Sequence, residues 1–394
     1  MKFDSQTYRV TNPGPYGRIA LIVGVAGLAL SAVGYFTDPK QTMFSYLTAF
    51  MFFVSFALGG LFFTMLHHLV DAKWSIVIRK LSESLMSTMP LMLLLFIPIA
   101  FGIHELYEWS HADVVAQDAL LQKKAGYLNV TFFLIRAAVY FAIWIFVGRK
   151  LVTLSKQQDV RHEEGFVHKA RMISAPGMIL FAFTITLASF DWLMSLDPHW
   201  YSTIFGAYIF AGAFLGTLCI FTLVCLFQQR QGVLKNEIKT AHYHDIGKFT
   251  LGFIVFWAYM AYSQYFLIWY ANIPEETIWF LHRWEGSWKT WSLVLIFGHF
   301  AIPFLLLISS AAKRSGAVMA FGAVWLLVMR YVDLHWLVLP NLHHDGVHFT
   351  WIDVATFVGI GGLFFWYFWS RYTSQPLVPV NDPGLQSSIN MTTS

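Results

Sequence analysis

Long apolar runs alternate with short polar segments along the whole chain. A helix needs roughly 20 consecutive apolar residues to cross the hydrocarbon core of a bilayer. Ten-residue stretches of alternating apolar and polar residues, which would indicate an outer-membrane barrel, do not occur in the sequence. The pattern therefore predicts about ten transmembrane helices, at residues 18–36, 43–70, 83–103, 127–148, 172–196, 202–227, 248–273, 288–312, 316–339 and 350–371.

The composition excludes a soluble protein. Hydrophobic residues make up 57% of the 394 residues and charged residues only 12%, against about 25% charged residues in an average soluble domain. So many apolar side chains cannot all be buried in one soluble core, and part of the surface must face lipid. The net charge of +4 is too small for a nucleic-acid-binding protein. The sequence predicts an all-α polytopic membrane protein with no nucleic-acid partner.

The distribution of Lys and Arg predicts the orientation in the membrane. Nineteen of the 26 basic residues lie in the N-terminal segment, the C-terminal segment and alternate loops, whereas five lie in the opposite loops. Cytoplasmic loops carry the excess of Lys and Arg, so both termini are predicted to be cytoplasmic. The predicted division of the chain is a cytoplasmic segment at 1–17, a ten-helix transmembrane domain at 18–371 and a cytoplasmic tail at 372–394. The Pro-rich tail is expected to be extended or docked on a partner.

Ionisable residues at membrane depth are functional candidates, because each is expensive to bury in lipid unless it is used or paired. Asp191 has no basic residue within one turn of its own helix. It must pair with Arg136 or Arg330 from another helix, or stay protonated. Arg330 and Asp333 share a helix face and either neutralise each other or act in the function. The predicted proton path comprises His67, His68, Asp71, His299, Arg136, Asp191, Asp197, Arg330 and Asp333.

A weak internal repeat predicts the arrangement of the helices. Asp191 is followed seven residues later by Pro198, and Asp333 seven residues later by Pro340. The two aspartates lie on spans that are four apart. This spacing predicts two four-helix bundles, formed by helices 2 to 5 and 6 to 9, with helices 1 and 10 flanking them.

Two segments of the sequence resemble a known family. They are Ser189–Ser202 (SFDWLMSLDPHWYS) and Ser263–Thr277 (SQYFLIWYANIPEET). Together with the ten-span plan, they resemble the smaller NrfD/polysulfide-reductase-C-like membrane subunit of bacterial alternative complex III, over nearly the whole chain. The resemblance implies a subunit of a respiratory quinol:cytochrome c oxidoreductase in the bacterial inner membrane, one that anchors the complex and conducts protons.

The resemblance also implies where the cofactors and partners lie. Haem c and iron–sulfur clusters are expected on partner chains, with no cofactor in this chain, and quinol is the substrate of the complex. The implied partners are a larger NrfD-like subunit, an iron–sulfur/molybdopterin-like subunit, multihaem cytochrome c subunits and a terminal oxidase. A quinol pocket in this chain would comprise His104, Arg136 and Asp191, with Asp197 near its opening. The sequence has no intramembrane His beside that pocket.

Two other classes of function remain open on the residues alone. A proton-coupled secondary transporter would also carry charges at the membrane midplane and internal repeats. A purely structural scaffold subunit would have every buried charge paired and dry. The three hypotheses differ in what the buried ionisable side chains contact.

Overall fold

The computed structural model describes residues 8–10, 12–161 and 165–392, and every regular element in these ranges is helical. Ten helices are long and apolar enough to cross a membrane, which confirms the predicted all-α polytopic architecture. Residues 1–7 and 11 of the predicted N-terminal segment, and 393–394 of the predicted tail, lie outside the described ranges. The helices are α1 (Tyr16–Thr37), α2 (Pro39–Val70), α3 (Lys73–Phe101), α4 (Val130–Val160), α5 (Gly165–Leu196), α6 (Phe205–Arg230), α7 (Thr240–Ala271), α8 (Trp288–Leu307), α9 (Gly316–Asn341) and α10 (Trp351–Thr373).

Shorter elements connect or end these helices. Because the described spans number ten, residues 8–10 and the described end of the chain near residue 392 lie at the same end of the bundle, which we call the terminal face; the other end is the distal face. Three spans contain or end in 3₁₀ turns, at Lys73–Ser75, Met194–Leu196 and Leu339–Asn341. The remaining short elements are Ile103–Leu106, Glu108–Ser110, Ala112–Gln117, Ala119–Lys124, Pro274–His282, Ser310–Arg314 and Leu385–Ile389.

The helices form the two predicted four-helix bundles, α2–α5 and α6–α9. Helix α2 packs against α3 and α5 of its own bundle and against α6 and α9 of the other, so it lies at the centre of the protein. Nearly all of α2 is buried, and so is most of α6. These two helices therefore present little surface to lipid, whereas α7 and α8 lie at the periphery of the second bundle.

Helices α1 and α10 flank the bundles as a closely packed pair. A Cβ atom on Gly24 would lie 2.6 Å from the backbone nitrogen of Leu363, and one on Gly27 would lie 2.5 Å from that of Gly359. Glycine is therefore required for the two backbones to approach each other. Most of the remaining surface of α1 is exposed and apolar, as expected of a helix that faces lipid.

Several helices extend beyond their predicted apolar cores. Helix α3 begins at Lys73 rather than at residue 83, and α4 ends at Val160 rather than at residue 148. The additional turns contain Arg79 and Lys80, which are buried because carboxylates neutralise them. Hydropathy alone could not predict these turns, since the pairing depends on side chains from other elements.

The C-terminal tail packs on its own chain. The backbone nitrogen of Leu377 donates to the carbonyl of Tyr8, and Arg79 forms an ion pair with Asp382 at 2.5 Å. Val378 and Leu385 are fully buried. The described part of the tail therefore packs on the terminal face. Burial of its apolar side chains stabilises this arrangement.

Candidate functional site

Asp191 lies near the distal end of α5 and accepts hydrogen bonds from two side chains of α4. The Nε and Nη2 atoms of Arg136 donate to its two carboxylate oxygens at 2.8 and 2.9 Å. The hydroxyl of Tyr140 donates to Oδ2 at 2.8 Å. This bidentate geometry is the strong form of an Arg–carboxylate pair. Of the two predicted partners for Asp191, the structure selects Arg136.

The loop between α3 and α4 completes the surroundings of this pair. Nη1 of Arg136 donates to the carbonyl of Tyr127 at 2.8 Å, and its Cζ lies 3.8 Å from the centre of the Tyr127 ring. Burial, together with the charge of Asp191, raises the pKa of Tyr127 to about 12. Burial and the same charge raise the pKa of Tyr107, whose hydroxyl donates to the carbonyl of Trp192 at 3.0 Å. Both phenols are therefore neutral at neutral pH, and Arg136 is the charged partner of Asp191.

A second buried carboxylate, Asp333, occupies the corresponding position in the second bundle. Arg330, one turn earlier on α9, donates from Nη1 to Oδ2 at 2.6 Å, and Tyr208 of α6 donates to the other oxygen. Asp191 and Asp333 each lie on the last helix of a bundle, shortly before a 3₁₀ turn. The structure thus pairs Arg330 with Asp333, as their spacing of three residues allows.

The surroundings of Asp333 differ from those of Asp191 because several buried polar atoms have no partner. Nε and Nη2 of Arg330 and both ring nitrogens of His299 are buried and make no hydrogen bond within the described ranges. His299 of α8 stacks on Trp257 of α7, with the ring centroids 3.9 Å apart. With Tyr208 and the Arg330–Asp333 pair, all four helices of the bundle contribute a polar side chain to this group, which we call the second-bundle cluster.

Such unsatisfied groups require an explanation. A buried donor without a partner costs about 1–3 kcal/mol, so a structure retains several of them together only where they serve a purpose or meet water or an ion. The second-bundle cluster can bind water or another small polar group between an arginine, a histidine and a carboxylate. That combination can accept, hold and release a proton.

The local structure of α8 directs His299 into this cluster. Residues Leu295–Ala301 form a π-helical segment just before Pro303, whose ring cannot supply a backbone donor. The indole nitrogen of Trp325 donates to the carbonyl of Gly298 at 2.7 Å and satisfies a polar group within this irregular turn. Widened turns of this kind occur frequently at functional sites.

A hydrogen-bonded chain leads from another buried carboxylate to the distal surface. Asp353 of α10 accepts a hydrogen bond from Ser45 Oγ at 2.7 Å and a long one, 3.5 Å, from the amide of Gln41. The amide oxygen of Gln41 lies 2.6 Å from Nε2 of His343. The ring of His343 is 4.6 Å from that of His348, which is exposed. Asp353 is therefore connected to solvent through polar side chains at the distal face.

The terminal face contains a buried ionic network. Arg79 and Lys80 both pair with Glu83, and Lys80 also contacts Asp159 at 2.5 Å. Asp382 from the tail provides the other partner of Arg79. This arrangement joins α3, α4 and the tail, and it neutralises two cations that lie fully inside the protein.

The other predicted site residues are more scattered. His67 and His68 are both buried, and Nδ1 of His67 lies 2.7 Å from Ser75 Oγ. Asp71 is exposed and ends α2 in a left-handed conformation, with φ of 51°. Asp197 is half-buried in the turn after α5. No hydrogen bond in the described ranges connects these residues to the second-bundle cluster.

His104 is not part of the group around Asp191. Its side chain is exposed, and Nδ1 lies 3.0 Å from Ser110 Oγ. No described hydrogen bond or ion pair joins His104 to Arg136 or Asp191. The predicted grouping of these three residues in one pocket is therefore not what the structure presents, because the chain leaves α3 at Phe101 and turns His104 outward.

Sequence reasoning missed the aromatic members of both sites. Tyr140 lies four residues after Arg136 and hence on the same helix face, which is a signal that could have identified it. Tyr208 and Trp257 had no such signal, since their relation to Asp333 depends on how three helices pack. The role of Gln41 could not be predicted either, because its partners Asp353 and His343 are about 300 residues away in sequence.

Comparisons with known proteins leave the family open. No protein-family model matches the chain, and no curated protein is significantly similar to it. Function must therefore be inferred from the buried polar groups and their chemistry.

Proposed function

We propose that this chain is the smaller NrfD-like membrane subunit of a bacterial quinol:cytochrome c oxidoreductase of the alternative complex III type. In that complex it anchors the assembly in the inner membrane, with both termini cytoplasmic, and conducts protons. The resemblance of Ser189–Ser202 and Ser263–Thr277 supports the family. Both segments lie at the distal ends of spans. In the proposed complex the distal face carries the redox subunits.

The second-bundle cluster is the observation that carries the proton-conducting role. Nitrogen atoms of Arg330 and His299 that make no hydrogen bond in the described ranges belong to the same cluster as the Arg330–Asp333 pair. Water bound to those nitrogen atoms would give a proton a route between His299 and Asp333. A lipid-embedded bundle with no such role would be more stable if these positions were apolar.

The distal chain from Asp353 supports a route of release. Gln41 and His343 connect this carboxylate to the distal surface, where His348 is exposed. Histidine changes its charge near neutral pH and is suited to exchange protons with solvent. Protons taken up at the cytoplasmic side would leave at this face.

Within this proposal the two buried aspartates have different roles. Asp191 accepts three hydrogen bonds from Arg136 and Tyr140, and these occupy both of its carboxylate oxygens. We assign it to stabilising the first bundle, and Asp333 to proton transfer. Quinol oxidation falls to the larger NrfD-like subunit, since His104 does not join Arg136 and Asp191.

The saturated ion pairs favour a scaffold as the second candidate function. The Arg136–Asp191 pair and the ion pairs of Arg79 and Lys80 join different helices and neutralise their buried cations. If the second-bundle cluster were static as well, the subunit would only position its partners.

The decisive experiment replaces Asp333 by Asn in the intact complex. Complex purified from membranes is reconstituted into liposomes, and the protons released per electron are measured during quinol oxidation with cytochrome c as acceptor. Asp333→Asn should lower this ratio at unchanged haem content, whereas Asp191→Asn should lower the yield of complex but keep the ratio. An unchanged ratio in normally assembled Asp333→Asn complex would favour the scaffold. If multihaem and iron–sulfur chains do not accompany the protein, the family assignment is wrong.

A further inference from the structure

A cleft opens at the terminal face between α3, α4 and α10. It encloses about 230 Å³ and is lined by residues from all three helices and by the start of the tail. Three of the lining residues are cations, namely Arg149 and Lys156 of α4 and Arg371 of α10. None of the lining residues is acidic. The cleft therefore presents a local excess of positive charge where the protein meets the membrane surface.

Two of these cations have no counter-ion among the residues that the structure describes. Arg149 and Lys156 are exposed, and their side chains make no ion pair or hydrogen bond in the part of the chain that the structure describes. The neighbouring cations Arg79 and Lys80 differ in this respect, because carboxylates neutralise both of them inside the protein. The charge of the cleft is consequently available to a ligand.

The third cation is held in position by its own helix. Nη2 of Arg371 donates to the hydroxyl of Tyr367 at 2.7 Å, and its Cζ lies 4.8 Å from the centre of that ring. A guanidinium held this way loses less freedom when it binds a phosphate. Arg371 and the two α4 cations line the same cleft, so cations from both helices are presented to a ligand bound there.

The inner part of the cleft is apolar. Met86, Met89 and Ile145 line it on the bilayer side of Arg149 and Lys156, and Val152 lies between these two cations. Arg149 and Lys156 are seven residues apart, which places them on one face of α4 and about 10 Å apart along its axis. The cleft therefore combines cations at headgroup depth with an apolar surface at the depth where acyl chains begin.

We propose that this cleft binds the phosphate headgroup of an anionic glycerophospholipid. A phosphodiester gives the negative charge and the acceptor oxygens that Arg and Lys recognise, and the attached acyl chains cover the apolar part of the cleft. Basic pockets between helices at the cytoplasmic side of a membrane bind anionic lipids in this way. Inorganic phosphate would leave the apolar surface unused, and a zwitterionic lipid would leave the positive charge uncompensated.

The test uses the full chain, purified with whatever subunits accompany it and depleted of lipid by detergent exchange. Phosphatidylglycerol, phosphatidylcholine and inorganic phosphate are titrated separately, and bound molecules are counted by native mass spectrometry. Phosphatidylglycerol should bind more tightly than phosphatidylcholine, and inorganic phosphate should not compete with it at equal concentration. Equal binding of both lipids, or full competition by inorganic phosphate, would overturn the proposal.

Charge-removing variants locate the binding to this cleft. Each of Arg149→Gln, Lys156→Gln and Arg371→Gln should weaken phosphatidylglycerol binding about fivefold. Lys150→Gln is the matched control, because Lys150 is exposed on the same helix but does not line the cleft. Its binding should match that of the unmodified protein. An equal loss in the Lys150 variant, or no loss in the other three, would contradict the assignment.

A space-filling variant tests the cleft without changing any charge. A Cβ atom on Gly148 would lie 3.8 Å from Sδ of Met86, an ordinary contact, so a side chain can begin at this position, which lines the cleft. Gly148→Leu should abolish high-affinity phosphatidylglycerol binding, while the melting temperature of the lipid-depleted protein stays the same. Unchanged binding in a normally folded Gly148→Leu protein would show that the lipid binds elsewhere.

Discussion

Gly212 and Arg330 lie in direct contact across the interface between α6 and α9. A Cβ atom on Gly212 would lie 2.3 Å from Nη1 and 2.8 Å from Cζ of Arg330. The glycine, which the sequence places in a GxxxG motif, thus creates the space that the guanidinium occupies. The same Nη1 donates to Asp333, so a residue of the helix interface also determines the geometry of the second-bundle cluster.

Gly212→Ala should therefore disturb the Arg330–Asp333 pair. The methyl group would force the guanidinium away from its carboxylate, and overpacking of this kind costs about 2 kcal/mol. We expect a lower melting temperature of the purified protein and a lower proton ratio in the reconstituted complex. Gly252→Ala is the matched control, since a Cβ atom there meets nothing within 4 Å. Equal stability of the two variants would contradict the role given to Gly212.

The Arg136–Asp191 pair should show strong coupling in a double-mutant cycle. Arg136→Met leaves a buried carboxylate without its cation, and Asp191→Asn leaves a buried cation without its carboxylate. The combined variant contains neither charge, so it should be more stable than the sum of the single changes predicts, by about 1–3 kcal/mol. Thermal unfolding of the four proteins in one detergent measures this difference. Additive effects would mean that the pair is open to water.

Arg283 is expected to stabilise the distal end of α9. It is buried and forms no ion pair with a carboxylate in the described ranges; instead its nitrogens donate to the carbonyls of Trp279, Trp336 and Leu337. The last carbonyls of a helix lack intrahelical donors, and losing the donors that satisfy them should cost about 2 kcal/mol. Arg283→Met should lower the melting temperature accordingly.

The control for Arg283 is Lys289→Met, a cation lost from an exposed position on the same side of the membrane. Surface substitutions of this kind usually change stability by less than about 0.5 kcal/mol. If both variants lose the same stability, the carbonyl contacts of Arg283 contribute nothing specific.

The ion pair between Arg79 and Asp382 should hold the C-terminal tail on the terminal face. Asp382→Ala removes the only acidic residue of the described tail from Arg79, so local opening should become easier. Chymotrypsin should then cleave near Leu377 at least tenfold faster, which corresponds to about 1.4 kcal/mol of local stability. Gln386→Ala, at an exposed tail position, should cleave at the original rate. Unchanged cleavage of Asp382→Ala would show that apolar burial alone holds the tail.

The ten spans and their grouping were predictable because lipid imposes a simple length and composition on each helix. The aspartates on the last helix of each bundle were also visible, as the shared spacing of Asp191 and Asp333 to a following proline. The hydrogen bonds around each aspartate could not be predicted from the sequence. Asp191 accepts hydrogen bonds from Arg136 and Tyr140, whereas nitrogens of Arg330 and His299 near Asp333 have no partner in the described ranges. This difference depends on how separate helices pack together.

The polar turns at the terminal face were less predictable for a related reason. A helix rich in Arg and Lys reads as a solvated loop in a hydropathy profile, and α3 was therefore predicted to begin at residue 83. Its cations are buried because Asp159 and Asp382 come from distant parts of the chain. Long-range compensation of charge leaves no local signal in the sequence.

The glycine-mediated pairing of α1 with α10 has a consequence for biosynthesis. During translation α1 enters the bilayer first, but the backbone surface against which Gly24 and Gly27 fit is made last. Until the final span has been synthesised, α1 lies in lipid without its partner helix. A nascent chain arrested before Gly359 would therefore leave the surface around Gly24 and Gly27 unpaired. Quality-control proteases could recognise an incomplete product by this exposed surface.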